Sequence, residues 1–241
     1  TEVTVVEMMP ELMVREQKEA VKIVMNDMKK LGISFKLGAK MLRIEKTGAQ
    51  LKAVYEINGQ EEATVCEQVL MAAGRKTNLT GIDAEKLGLA MTEKKCIVVD
   101  EHQRTNLPGV YAIGDVVGGY QLAHAAYAEG EAAVADILGE DKPYGTMPVP
   151  VCTYTIPVFA SVGLTTEGAK EAGYDPVLGS FDYSANGMGE NSSEMIAMAT
   201  SAVADGLTTD QWEKMIVAHP SLCEMVREAA LDAFKKSVHK G

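Results

Sequence analysis

The sequence contains no closely spaced pair of cysteines. Its 241 residues include four, Cys66, Cys96, Cys152 and Cys223, and no CxxC or CxxxxC pattern joins any two of them. This scatter excludes a redox disulfide between neighbouring residues and a zinc knuckle, and it is typical of isolated thiols in a reducing compartment. We therefore expect the cysteines to act mainly as small apolar packing residues, with no metal site.

Long apolar runs and an excess of positive charge are also missing. No apolar run reaches the roughly 18 residues of a membrane span, and no signal peptide is visible, so we expect a soluble, cytoplasmic protein without a membrane partner. The formal charge of −11 would repel a phosphate backbone, which argues against nucleic acid as a partner. The hydrophobic content of 46% can fill the core of one large domain or two ordinary ones.

The first 37 residues have the pattern of a β-α-β unit. Residues 3–7 are β-branched and apolar and end in a carboxylate, which predicts a buried parallel strand. Residues 15–31 predict an amphipathic helix that Gly32 ends, and residues 33–37 predict a second strand. The helix prediction rests on four apolar residues at i, i+3, i+4 and i+7, namely Val21, Val24, Met25 and Met28.

The rest of the chain mixes short strands with helices. An antiparallel meander is predicted next, because Thr47-Gly48 and Asn58-Gly59 separate three short strand-like runs at 41–44, 51–57 and 63–66. Further strands are predicted at 69–73, 96–100, 110–113 and within 148–163. Helices are predicted at 122–138, 165–173, 191–204, 209–217 and 220–238. The pattern indicates an α/β fold with Rossmann-type units and an α+β C-terminal domain.

Glu7 is a candidate nucleotide-binding residue. In a dinucleotide-binding fold, a carboxylate at the end of such a strand accepts hydrogen bonds from the adenosine ribose hydroxyls. It would also repel a 2′-phosphate, which favours NAD over NADP. The alternative is an ordinary charge at a strand end, and no Gly-rich turn that could cradle a phosphate precedes this strand in the sequence.

A second candidate segment runs from Val110 to Asp115. With Thr105 and Pro108 before it, this segment resembles the second flavin-contact segment of flavoproteins with two dinucleotide-binding domains. Gly114 would let the backbone approach the flavin linker, and Asp115 could accept a hydrogen bond from a ribityl hydroxyl. The backbone amides at the following helix start, Leu122-Ala123-His124, would stabilise negative charge on the O2 side of the flavin.

The C-terminal candidate is the run from His219 to Glu224. Pro220 suits the first position of a helix, and Glu224 suits the positive helix N-terminus, so a surface histidine beside a well-started helix is one interpretation. The other is an acid/base dyad, in which the carboxylate orients the imidazole and raises its basicity. We expect the other histidines, His102 and His239, to be exposed.

Together with Gly74 in Ala72-Ala73-Gly74-Arg75, these segments resemble the class I pyridine nucleotide-disulfide oxidoreductases, in particular dihydrolipoyl dehydrogenase. The Leu-Ala-His helix start and the HPxLxE ending favour this group over glutathione reductase. The resemblance implies FAD and NAD as cofactors and oxidation of dihydrolipoyl groups. His219 would take a proton from the dithiol, and Glu224 would orient it.

The same resemblance implies partners. It implies a symmetric homodimer, in which the dyad serves the disulfide of the partner subunit, and a lipoyl-bearing protein of a 2-oxoacid dehydrogenase or glycine-cleavage complex. Two alternatives stay open. One is a related glutathione-type reductase or NADH oxidase, and the other is a non-catalytic dimerisation or complex-binding remnant.

The resemblance divides the chain into three domains. Residues 1–77 would be the remainder of the NAD domain, 78–146 the second segment of the FAD domain, and 147–241 the interface domain. The first FAD segment, the redox CxxxxC and the NAD glycine turn are not in this sequence, and Asn191 leads directly into a helix where the family has further strands. Either the sequence is a genuine fragment, or segments of the protein are missing from it before Thr1 and around Glu190. We favour missing segments, because without central strands the apolar faces of the covering helices would be exposed.

Overall fold

The computed structural model describes residues 1–145, 148–181, 191–218 and 221–237. They form two compact units of mixed helix and strand. One contains Thr1–Ala72 together with Pro150–Gly241, and the other contains Ala73–Val149. Among the helices of this described part, none combines the length and the apolar character that a membrane span needs.

The first unit opens with the predicted β-α-β arrangement. Strand β1, Val3–Glu7, pairs in parallel with β2, Ile33–Leu37, and α1, Lys18–Lys30, connects them. Val21 and Val24 are the buried residues of α1, as the spacing of its apolar residues predicts. The prediction of a buried first strand is wrong, because β1 is exposed or half-buried along its length. In the described structure its sheet has only two strands, which leaves much of β1 uncovered.

An antiparallel meander follows, as predicted. It consists of β3, Lys40–Thr47, β4, Gln50–Ile57, and β5, Gln60–Cys66, paired in that order. Asn58 and Gly59 both have positive φ, at 53° and 78°, which is the backbone that a tight hairpin turn requires. The central strand supplies the buried side chains of this sheet, Ala53, Val54 and Tyr55.

The C-terminal part of the first unit combines a short hairpin with four helices. The hairpin pairs β6, Val151–Thr153, with β7, Phe159–Ser161. The helices are α4, Thr166–Glu171, α5, Ser192–Ala204, α6, Thr209–Lys214, and α7, Leu222–Asp232. Their core forms around Ala202, Trp212 and Leu231.

Two residues of α7 tie this helix to its surroundings. Glu228 is fully buried, and its carboxylate accepts hydrogen bonds from Arg227 Nη1 at 2.9 Å and from Ser237 Oγ at 2.7 Å. Arg227 also donates to the backbone carbonyls of Met215 and Glu213, at 2.9 and 3.1 Å. Because a buried charge is tolerated only when it is paired and hydrogen-bonded, this network fixes the position of α7 against the end of α6.

The second unit contains α2, Ala84–Leu87, a 3₁₀ turn at Gly114–Val117, and α3, Ala123–Ile137. The strands predicted at 96–100 and 110–113 are wrong. Each of these segments makes one isolated bridge, Met91 to Ile97 and Arg104 to Tyr111. The strand predicted at 69–73 is also absent, and Leu70 is 89% exposed. Apolar residues alone do not make a strand, because a strand needs a continuous ladder with a neighbour, and the described residues give each of these segments at most one isolated bridge.

Gly179 lies closer to α7 than any side chain would allow. A Cβ built on this residue overlaps the carbonyl oxygen of Ala229 and lies 2.6 Å from the backbone nitrogen of Ala233. The next residue, Ser180, donates its backbone N–H to the Asp232 carboxylate at 2.9 Å. The segment therefore packs directly on the helix backbone.

We predict that Gly179→Ala destabilises the protein, because the added methyl group meets backbone atoms that cannot rotate away. The free energy of unfolding, measured by urea denaturation, should fall by about 1–3 kcal/mol, the range for overpacking. Gly168→Ala in α4 is the matched control, since its nearest contact is a side-chain oxygen at 3.4 Å. Equal stability of G179A and the wild type would contradict the close packing.

Candidate functional site

The segment before Gly114 is shaped by a closed turn. Thr105 donates its backbone N–H and its hydroxyl to the carbonyl of Val110, at 2.9 and 2.8 Å. Gly109, within this turn, has a φ of +72°. Farther along, Ala112 donates its N–H to the carbonyl of Gln103 at 3.1 Å. The threonine of the sequence motif therefore forms the turn that directs the segment toward Gly114.

Small residues allow this segment to pack closely on α3. A Cβ at Gly130 would lie 3.5 Å from Ile113 Cδ1, and a Cβ at Gly114 would lie 3.6 Å from the Cβ of Ala126. Gly114 has a φ of +76°, in the left-handed region that side chains rarely adopt. The small residues of α3 and of the turn therefore let the two backbones approach each other closely.

The backbone of Gly114 is held by a buried carboxyl group from α3. Its N–H donates to Glu129 Oε2 at 2.6 Å, and Glu129 is only 4% exposed. Burial raises the pKa of the Glu129 carboxyl and the negative charge of Asp115 adds to this rise, while the hydrogen bond from Gly114 opposes it. The contact joins the 3₁₀ turn to the second turn of the helix.

Asp115 is held from another direction. Arg75 Nη1 contacts Asp115 Oδ2 at 2.9 Å and also donates to the carbonyl of Gln121 at 3.3 Å. The Asp115 and Arg75 side chains are 52% and 65% exposed, so the pair adds little stability. Its effect is geometric, because it brings the segment after Gly74 together with Asp115 and the residue before Leu122.

Helix α3 begins without a side-chain cap. Leu122 is its N-cap residue, Ala123 is its first helical residue, and its first turn contains no acidic residue. The positive end of the helix dipole is therefore not neutralised by a side chain of the helix itself. His124 also lies in this first turn, as predicted. The structure thus brings Gly74, Asp115 and the start of α3 together around Arg75.

Glu7 belongs to the other unit and ends β1. Its Oε1 accepts the backbone N–H of Met9 at 2.8 Å. Two hydrogen bonds hold the loop after Glu7. The Ser161 hydroxyl donates to the Glu16 carboxylate at 2.6 Å, and the Thr166 backbone N–H donates to the Gln17 side-chain oxygen at 2.9 Å. This loop forms an open cavity of about 330 Å³ lined by Glu7, Met9, Glu11, Met13, Val14, Arg15, Glu16 and Thr153.

The C-terminal candidate pair is described only in part. His219 lies outside the described residues. Glu224 lies in the first turn of α7, which Ser221 precedes as N-cap residue, and it is 7% exposed. The carboxyl is thus buried at the N-terminus of a helix, where the helix dipole favours a negative charge.

The sequence-based predictions missed Glu129 and also Asp136, seven residues farther along α3. Asp136 accepts hydrogen bonds from Arg104 Nε at 2.7 Å and from Tyr111 Oη at 2.6 Å. Arg104 and Tyr111 lower the pKa of Asp136, and Asp136 raises that of Tyr111. The available signal was the spacing, because Ala126, Glu129, Ala133 and Asp136 repeat at helical intervals and share one face.

His102 was expected to be exposed, and this prediction is wrong. Its side chain is 15% exposed and its Nδ1 lies 4.0 Å from Asp136 Oδ1. The Arg104–Asp136 pair draws the turn that contains His102 onto α3, and this packing covers the imidazole.

Glu129→Gln should change how stability depends on pH. The folded protein binds this proton more tightly than the unfolded chain, so the wild type loses stability as pH rises from the ordinary glutamate range near 4.5 to the raised pKa of Glu129. Thermal unfolding at a series of pH values should therefore show E129Q gaining stability relative to the wild type across this window.

Glu131→Gln is the control for this series. Lys142 lowers the pKa of the exposed Glu131, so the wild type gains stability as pH rises toward the ordinary glutamate range. E131Q should therefore lose stability relative to the wild type as pH rises, which is the opposite of E129Q. A stability difference between E129Q and the wild type that is constant with pH would contradict a raised pKa for Glu129.

Comparison with known proteins supports the expected family. A family model described as pyridine nucleotide-disulphide oxidoreductase matches residues 1–130. Dihydrolipoyl dehydrogenase from Rhizobium etli is 34% identical, with 97% of this chain and 55% of that protein covered. The enzyme of the same name from Thermus scotoductus is 32% identical, with 99% and 58% covered. The chain thus spans somewhat more than half the length of these relatives.

Solved structures support the fold. The flavoprotein disulfide reductase RclA from Escherichia coli aligns with a TM-score of 0.79 at 24% identity, covering 95% of this chain and 59% of that one. LpdA from Mycobacterium tuberculosis aligns with a TM-score of 0.81 at 22% identity, covering 95% and 56%. The predicted α/β fold is confirmed.

The alignment with the Thermus scotoductus relative extends over 269 positions and is longer than the chain itself. That relative therefore carries residues within the matched region that this chain lacks. FAD and NAD, the cofactors expected from the sequence, are those of the matched family. Because the family model covers more than half of the chain, the chain belongs to the pyridine nucleotide-disulphide oxidoreductases.

Proposed function

We propose that this protein oxidises dihydrolipoyl groups, with FAD as the bound flavin and NAD as the electron acceptor. The observation that carries this proposal is the Gly114–Asp115 turn, held beside the uncapped start of α3. Relatives at 30–34% identity that carry the name dihydrolipoyl dehydrogenase support the choice of substrate.

The residues around the turn have the chemistry that FAD requires. The left-handed backbone of Gly114 carries no side chain that would keep the flavin away. Asp115, oriented by Arg75, would accept a hydrogen bond from a ribityl hydroxyl. The start of α3, at Leu122, Ala123 and His124, would stabilise negative charge on the flavin through its dipole. FAD, when bound, supplies the redox chemistry that carries an electron pair from a thiolate to NAD.

Glu7 would bind the adenosine ribose of NAD. One of its carboxylate oxygens accepts the N–H of Met9, and no described residue donates a hydrogen bond to the other, Oε2. This oxygen could accept a ribose hydroxyl, and its charge would repel the 2′-phosphate of NADP. Gly74 would end the segment that leads from the NAD part of the chain to the FAD part.

We assign the acid/base role to His219 and Glu224. His219 would take a proton from one dihydrolipoyl thiol, and the resulting thiolate would attack an enzyme disulfide. The second thiol would then complete the exchange, which leaves an oxidised lipoyl disulfide and two reduced enzyme sulfurs. Glu224, buried at the start of α7, would orient the imidazole and stabilise its protonated form.

The remaining assignments follow the family pattern. Residues 1–77 would form the NAD domain remainder, 78–146 the second FAD segment and 147–241 the interface domain. The interface domain would form a homodimer in which the dyad serves the partner subunit's disulfide. The substrate would be presented by a lipoyl-bearing protein of a 2-oxoacid dehydrogenase or glycine-cleavage complex.

The first test is the substitution His219→Ala. Loss of the general base should lower dihydrolipoamide-dependent NAD reduction by about 10²–10⁴-fold, with flavin absorbance unchanged. His239→Ala, near the end of the chain, is the control and should keep wild-type turnover. Normal turnover of H219A would refute the dyad. The proposed function would be refuted if the protein reduced glutathione disulfide and did not oxidise dihydrolipoamide. It would also be refuted if the purified protein were colourless, since bound flavin absorbs visible light.

The second test is Glu7→Gln. Losing a charged hydrogen-bond acceptor should raise the KM for NAD by about 10–100-fold. The difference in KM between NAD and NADP should narrow, because the charge that repels the 2′-phosphate of NADP is gone. Glu11→Gln, on the same loop cavity, is the control. An unchanged preference for NAD in steady-state kinetics would show that Glu7 is only a strand-end charge.

A further inference from the structure

Glu129 is the only buried carboxyl group of the described second unit that contacts the proposed flavin-binding turn. Its Oε2 accepts the backbone N–H of Gly114 at 2.6 Å, and the side chain is 4% exposed. Hydrogen bonds that an ionised carboxylate accepts from a backbone N–H are among the stronger ones in proteins. The contact acts on the backbone and therefore fixes the conformation of the turn itself.

Two contacts of different strength hold Gly114 and Asp115, the first two residues of the turn. Arg75 holds the Asp115 side chain from solvent, where an ion pair contributes little. Glu129 holds the Gly114 backbone from the interior, and the packing of Gly114 on Ala126 keeps the two groups in register. If the Glu129 contact is removed, Gly114 keeps its small apolar contact with Ala126 and Asp115 keeps the exposed pair, while the far end of the turn stays bonded through the Ile97 N–H to the Val116 carbonyl.

We infer that Glu129 is a positioning residue, which fixes the Gly114–Asp115 turn in the conformation that receives FAD. This inference rests on the proposed function. In this inference Glu129 acts through the Gly114 backbone and does not itself contact the flavin. When a binding-competent conformation is only partly populated, the apparent affinity falls by the same fraction. Loss of the hydrogen bond should therefore weaken FAD binding without removing any group that binds the flavin.

The test compares FAD dissociation constants of the full chain, measured by quenching of flavin fluorescence well below the unfolding temperature. Glu129→Ala should weaken FAD binding by about tenfold or more. Glu129→Gln keeps an oxygen that can accept the Gly114 N–H and should restore affinity to near the wild-type value. Glu131→Ala, an exposed residue on the same helix paired with Lys142, is the control and should bind FAD normally.

Hydrogen exchange gives a second measurement that needs no flavin. A peptide covering residues 110–118 should be protected in the wild type, E129Q and E131A, and should exchange faster in E129A. Glu129→Asp, which keeps the charge but shortens the reach by one methylene group, should also lose protection. E129D replaces E129A in this comparison if E129A does not fold.

The outcomes separate the two proposals. Three results would each overturn the role of Glu129. They are unchanged FAD affinity in E129A, unchanged exchange of residues 110–118 in the folded alanine or aspartate variant, and a failure of E129Q to restore affinity. A wild-type chain that binds no FAD overturns the proposed function instead, and exchange then decides only whether Glu129 holds the turn.

Discussion

The close packing of residues 110–115 on α3 is the constraint on which the rest of the second unit depends. Gly130 makes room for Ile113, and Gly114 approaches Ala126 because neither position has a bulky side chain. At this separation a helix side chain can reach the backbone of the turn, and Glu129 does so at 2.6 Å. A Cβ at either glycine would lie at ordinary van der Waals distance from its neighbour, so only a side chain larger than alanine would press the turn away from α3 and strain that hydrogen bond.

Acidic residues that are buried or partly buried connect elements in both units. Glu129 joins α3 to a turn, and Asp136 joins the same helix to Arg104 and Tyr111. Glu228 joins α7 to Ser237 and, through its neighbour Arg227, to the end of α6. Each of these carboxyl groups has hydrogen-bond partners, which a buried polar group needs to offset the loss of water. Such contacts are directional, so they select one arrangement of neighbouring elements where apolar packing alone would allow several.

Local signals in the sequence predicted the elements that depend on local chemistry. The meander follows from its turn residues, since Asn58 and Gly59 adopt the positive φ that a tight hairpin requires. The helix of residues 18–30 follows from the spacing of its apolar residues along one face, whereas the helix start at Leu122 follows from the resemblance to the family motif. The strands expected at 69–73, 96–100 and 110–113 failed for the opposite reason. A ladder depends on a second strand, and the apolar residues of one segment do not indicate whether that neighbour is present.

The sequence by itself therefore determined the α/β class, the first β-α-β unit, the meander and the motif that places Gly114 and Asp115 before a helix. Only the tertiary structure decided which groups hold that motif. The seven-residue spacing of Glu129 and Asp136 places both on one face of α3, but it does not identify Gly114, Arg104 and Tyr111 as their partners. Those partners come from distant parts of the chain, and they meet the carboxyl groups only because glycine and alanine allow the backbones to approach.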